Sequence, residues 1–258
     1  MSDRLHNLPL IWMTLVVFGV TYLFAALLQT VVRMLATRER APAFKAVSPG
    51  MLPPLGILFG LFVAFTAAQV WNDIDRANTA VNREASALKT VLVLAATFPG
   101  DSEARLRSLV RRHIEEIVTR EWPIMVRHTA TIHVSPPSLV EALQQTIALS
   151  PNNPGQQIAQ REIVTSIENA LEARRQRILV SQSRVNLTKW ACIFLQAACA
   201  LLAIAAVHID NRLASTISLG VFATGVATSI LLILAHDEPF AGQISVGFQP
   251  LLQVMPDL

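Results

Sequence analysis

The chain has 258 residues, of which 52% are hydrophobic and only 15% charged, with a formal net charge of +3. An average soluble domain carries about 25% charged residues, so this composition argues against an ordinary soluble globule and for a membrane protein. The small basic excess is scattered among acids, without the aromatic-interleaved stripe of single-strand binders, which argues against nucleic acid as a partner.

A helix that spans a bilayer needs about 20 apolar residues, and four segments meet that length. The first, LPLIWMTLVVFGVTYLFAALLQTVVRML, starts at Leu8. It is too long for a signal-peptide core and lacks a small-residue cleavage site, so a retained membrane helix is expected. The second is MLPPLGILFGLFVAFTAAQVW, residues 51–71. The third, 190–209, and the fourth, 213–236, are joined only by Asp210, Asn211 and Arg212, which predicts a tight antiparallel hairpin. Cys192 and Cys199 lie seven positions apart in the third span, about 10 Å along one helix, too far to pair. They read as small buried side chains.

Residues 72–189 are mostly polar and match the size of one small domain. Ile74, Ala77, Val81, Ala85, Leu88, Leu92 and Ala95 recur at helical spacing until Pro99-Gly100 stops them. Asp101 is expected to cap the next helix, with Leu106, Val110, Ile114, Ile117 and Met125 as its apolar stripe. Pro123 should kink or end that helix. Ser135 and Pro136 open a short helix to Leu149, and SPNNPG at 150–155 is a turn-rich loop. Residues 156–190 read as helix again, with Ile158, Ile167, Leu171, Ile178 and Val185 on one side. The chain thus divides into 1–71 with two spans, 72–189 as an extramembrane helical bundle, 190–236 as a hairpin of two spans, and 237–258 as a tail. The expected fold is all-α, a four-transmembrane-helix protein with the bundle inserted between spans two and three.

No proline occurs between Pro54 and Phe98, and neither Gly nor Pro between Gln156 and Leu219. This continuity predicts two long helices that leave and re-enter the membrane unbroken, anchored at its surface by Trp71 and Trp190. The competing reading places short kinks at those junctions. Orientation is signalled both ways. Arg38, Arg40 and Lys45 in the connection 36–50 put that loop inside, whereas Arg76, Arg83, Arg184 and Lys189 beside spans two and three put the helical domain inside.

In the second span, Leu55, Phe59, Phe62, Thr66, Gln69 and Asp73 alternate at spacings of four and three and form one stripe. A ring of such stripes in an oligomer would make a hydrophobic neck opening into a polar vestibule, where dewetting gates ions. The plainer reading is packing or lipid contact for the Phe residues and interhelical bonding for Thr66 and Gln69. Just beyond, Arg76, Arg83 and Glu84 would form an ion-attracting vestibule wall or an intersubunit face. The many Asn and Asp residues around them are poor helix formers in solvent and favour the interface. Thr216, Gly220, Thr224 and Thr228 form a small-residue seam for close helix packing. His236, Asp237 and Glu238 supply too few oxygens for a cation site, and His113, His128 and His133 lack metal-site spacing. No phosphate loop, nucleophile elbow or HExxH occurs, so no metal, cofactor or enzymatic activity is expected.

Five pieces carry a family resemblance: FVAFTAAQVWNDIDRANTAVNREASAL, EWP at 121–123, RRQRI at 174–178, Trp190, and DEPFAG at 237–242. With two spans on either side of a helical middle, the chain resembles the bestrophin-like family of bacterial membrane proteins, named for kinship with bestrophins, which are pentameric anion channels. The resemblance implies a neck on the second span, at Phe59, Phe62, Phe65 and Thr66, and a cytosolic helical domain. Bestrophin necks space their bulky residues every four, whereas these Phe residues are three apart, and HDE is shorter than the acidic run of a bestrophin calcium clasp. The expected protein is an oligomeric ion channel in a bacterial inner membrane, anion-conducting by resemblance. Its partners are the lipid bilayer, small inorganic ions and its own copies, a pentamer by the same resemblance. The alternative is a non-conducting sensor or scaffold whose helical domain binds a partner.

Overall fold

A computed structural model describes residues 9–35, 49–242 and 244–257, which form helices and no strand. Leu8, Arg38, Arg40 and Lys45 lie outside the described residues. The chain divides into two compact units. One comprises the described residues up to Trp71, Arg184–Asp237 and Gly242–Ile244; the other comprises Asn72–Ser183, Glu238–Ala241 and the described residues from Ser245.

The first unit contains α1 (Leu10–Leu35), the apolar part of α2 (Leu52–Ala95), α7 (Leu187–Val207) and α8 (Arg212–His236). Each of these helices is long and apolar enough to cross a membrane. Met13, Val17, Phe59, Val70, Ile193, Val226 and Ile230 form one buried cluster. Ala25, Val32, Leu201, Ala205, Leu219 and Ala223 form another. The small-residue seam of α8 receives polar side chains of α1. Tyr22 and Thr224 hydroxyls are 2.7 Å apart, and Gln29 Nε2 donates to Ser215 and Thr216 at 3.1 and 3.0 Å. The threonine hydroxyls also donate to the carbonyl four residues back, which satisfies them without water. Asn211 caps α8 through the Ala214 N–H.

The second unit contains the rest of α2, α3 (Asp101–Glu116), a π-helical turn (Ile117–Glu121), α4 (Trp122–Val126), α5 (Pro137–Ile147), α6 (Pro154–Ser181) and α9 (Gln249–Leu252). Its core joins Val81, Leu88 and Val91 to Leu106, Val110, Ile114, Ile117, Met125, Leu139, Ile163 and Ile167. The expected stripes of α2 and α3 are therefore the core faces. On α6, Ile167 and Ile178 are core residues and Leu171 packs against the core as expected, but Ile158 is exposed and Ala159 and Ile163 are buried in its place.

Three boundaries differ from expectation. Gly100, at φ 95°, is the cap of α3, and Asp101 is its first helical residue. Only glycine adopts that left-handed backbone freely. Pro123 neither ends nor simply kinks its helix. The preceding turn widens to π, with the Trp122 N–H donating to Ile117 O, which accommodates a residue that has no N–H and crowds the carbonyl four back. Pro154 and Gly155 belong to α6 rather than to the loop, because the Asn153 side chain caps the helix at Gln156 N–H, 2.8 Å.

The two long helices fare differently. α2 is unbroken over 44 residues, about 65 Å. The second breaks: α6 stops at Ser181 and α7 starts at Leu187. Neither Gly nor Pro marks this break. Polar side chains make it by competing for backbone groups. Gln182 donates to Ala130 O, Val185 N–H donates to Asp237 Oδ1, and Asn186 caps α7 at Lys189 N–H.

Candidate pore helix and buried charge cluster

The apolar part of α2 has two faces. Phe59 and Thr66 point into the chain's own helices, 7% and 4% exposed. The Phe59 ring lies 5.8 Å from Phe222, and the Thr66 hydroxyl donates to Phe62 O. Leu55, Phe62 and Gln69 are half-buried, and Gln69 accepts from Lys189 of α7. Asp73 is half-buried and pairs with Arg76 at 3.8 Å. On the open face stand Ile57, Leu61 and Phe65, 67%, 50% and 68% exposed and four residues apart. Ala68, Asn72, Arg76, Thr79 and Arg83 continue that exposed ridge. The four-residue spacing of Ile57, Leu61 and Phe65 is itself legible in the sequence.

Glu84, grouped with Arg76 and Arg83 from sequence, parts from them. It is fully buried, about a quarter-turn round α2 from them, in a charge cluster of the second unit. Arg177 of α6 grips it with two bonds, Nε to Oε2 at 2.8 Å and Nη2 to Oε1 at 3.3 Å. Arg177 also donates to Glu121 Oε2 at 3.0 Å, and its guanidinium lies 5.6 Å from the Trp122 ring centre. Arg174, one turn earlier, donates to Glu121 Oε1 at 2.7 Å. His113 of α3 completes the set at 3.1 Å from Glu84. Burial alone would push the Glu84 carboxyl up, but the Arg177 charge and the bonds from His113 and Arg177 outweigh it and hold the pKa at about 2. Burial works against the Arg177 charge too, yet Glu84 and Glu121 raise its pKa.

Motifs scattered through the chain thus meet in one place. EWP supplies Glu121 and Trp122, and the π turn before Pro123 carries Glu121. RRQRI supplies Arg174 and Arg177. DEPFAG sends Phe240 edge-on to Trp122 at 5.3 Å, with Phe248 on the same indole at 5.5 Å. The two DEPFAG acids diverge: Asp237 holds the Val185 N–H, and Glu238 Oε2 lies 3.4 Å from His128 Nε2. Glu116 and Ser138, also in the cluster, carried no signal in the sequence.

A family model described as the Bestrophin-like domain matches residues 9–251. Among solved structures, a point mutant of a bacterial Bestrophin homolog from Klebsiella pneumoniae is similar with a TM-score of 0.70 at 12% identity, covering 92% of this chain and 96% of that one. A second point mutant of the Klebsiella pneumoniae homolog gives 0.69 at 11% identity, over 92% and 97%. A structure described only as a membrane protein gives 0.70 at 12% identity, over 93% and 99%. At such identities the likeness is one of fold. No curated protein matches the chain.

Proposed function

The chain belongs to the Bestrophin-like family, and on that premise we propose that it is an oligomeric channel for small inorganic anions in a bacterial inner membrane. The observation that carries this reading is the open face of α2. Ile57, Leu61 and Phe65 are bulky, apolar, exposed and spaced every four residues on an unbroken helix. Copies arranged about a common axis with this face inward would stack three apolar rings, a neck that gates by dewetting. Phe59 and Thr66 are occupied inside each protomer, so Ile57, Leu61 and Phe65 replace them as neck residues, with Phe62 at the edge. The exposed ridge beyond Trp71 forms the vestibule wall. Among the described residues Arg83 has no ion-pair partner, and its free charge would draw anions toward the neck. The preference for anions and a fivefold axis both rest on the resemblance to bestrophins, as does a cytoplasmic helical domain. The reading is of a passive channel and not an enzyme.

Purified protein reconstituted in planar bilayers under a chloride gradient tests this. Current should reverse near the chloride potential, and Leu61→Ala or Phe65→Ala should raise it several-fold. Silence of the wild type and both variants would leave a non-conducting sensor or scaffold. A single cysteine at Arg161, in a chain lacking Cys192 and Cys199, should react with an impermeant maleimide only after spheroplasts are lysed.

A further inference from the structure

His113 is 1% exposed and has a polar partner at each ring nitrogen. Nε2 lies 3.1 Å from Glu84 Oε1 on α2, and Nδ1 lies 3.3 Å from Ser138 Oγ on α5. Ser138 Oγ lies in turn 2.9 Å from Glu116 Oε2. A hydroxyl has one proton to donate, and a carboxylate only accepts. Ser138 gives its proton to Glu116, the shorter of its two contacts. It then has only lone pairs for His113, so Nδ1 must bring a hydrogen. Glu84, bonded twice to Arg177, also only accepts, so Nε2 must bring one as well. An imidazole with hydrogens on both nitrogens is an imidazolium.

We propose that His113 is a proton-binding site: a buried imidazolium whose bound proton ties α3 to α2 and, through Ser138, to α5. The charges around it agree. The carboxylates of the network are Glu84 on α2, Glu116 on α3 and Glu121 in the π turn; its guanidiniums are Arg174 and Arg177 on α6. Three negative charges face two positive ones, and the imidazolium makes them equal. The remaining acid on α5, Glu141, is engaged on the outer side by Arg105 and Arg112. Losing the proton has a defined structural consequence. The Ser138 hydroxyl must turn from Glu116 to Nδ1, Glu116 is released to solvent, and the network keeps one unbalanced negative charge. The bound proton thus joins three helices of the second unit, α2, α3 and α5. The inference stands on the second unit alone and is independent of whether the protein conducts.

The test is solid-state nitrogen NMR of the full chain in lipid, labelled with nitrogen-15 at histidine and assigned to His113 by sequential correlation. At pH 7 both ring nitrogens of His113 should show directly bonded protons. In Ser138→Ala the Nδ1 signal should shift while Nε2 stays. A wild-type spectrum with one unprotonated ring nitrogen at pH 7 overturns the proposal, whatever the variant does.

Discussion

Replacing Arg177 by methionine isolates what the buried cluster contributes. Arg177 is fully buried, and its guanidinium spends its donors on Glu84, Glu121 and the Met125 sulfur. Methionine roughly conserves the volume, so the main effect is electrostatic. Glu84 is left buried with His113 alone, while Glu121 keeps Arg174. Breaking a buried pair by removing one partner costs about 3–5 kcal/mol. Methionine at both Glu84 and Arg177 removes the stranded charge, and the double variant should cost at least 1 kcal/mol less than the sum of the single ones, reflecting a coupling of about 1–3 kcal/mol. Hydrogen-exchange mass spectrometry of the purified protein reads the effect locally, on peptides from 72–95 and 154–181. A cost in that range speeds exchange there between about 100-fold and 4,000-fold. An acceleration below about threefold in Arg177→Met, or a double variant as disrupted as the sum of the singles, would refute the reasoning.

Three further outcomes follow from particular residues. Glu84 has its pKa depressed from 4.5 to about 2, so its stabilisation is complete above pH 4.5 and lost as pH falls through 2, about 3 kcal/mol in all; urea melts of the micellar protein at pH 6 and pH 2.5 should show most of that loss, and Glu84→Gln should shrink the difference by about that amount. Phe59→Ala should destabilise the first unit by about 3–5 kcal/mol because it opens a cavity against Phe222, whereas Phe65→Ala, on the open face, should leave the thermal midpoint of the single chain in detergent within a few degrees of wild type. Asn186→Ala removes the cap of α7 and should cost about 1 kcal/mol, seen as faster exchange at 187–190 with α6 unchanged.

Much of this protein is legible in its residues. Four apolar runs have the length of a bilayer span, and hydrocarbon length is a property of composition alone. The core faces of α2 and α3 follow from a 3.6-residue period, which any helix with one wet side must show. The uninterrupted α2 follows from the lack of proline after Pro54. What the residues do not reveal is direction and partnership. Period alone finds the stripe from Leu55 to Asp73 but not which neighbour it meets, and within the chain Phe222 and Lys189 claim part of it, leaving Ile57, Leu61 and Phe65 outward. The break after Ser181 has no glycine or proline to announce it, because it is made by side chains reaching Ala130 and Asp237, both 52 positions distant. Glu84 looks like a surface acid until Arg177, 93 positions away, closes on it. Local patterns determine which segments are helical and how oily they are; only the packed chain decides which face is taken, since that depends on groups the sequence keeps far apart.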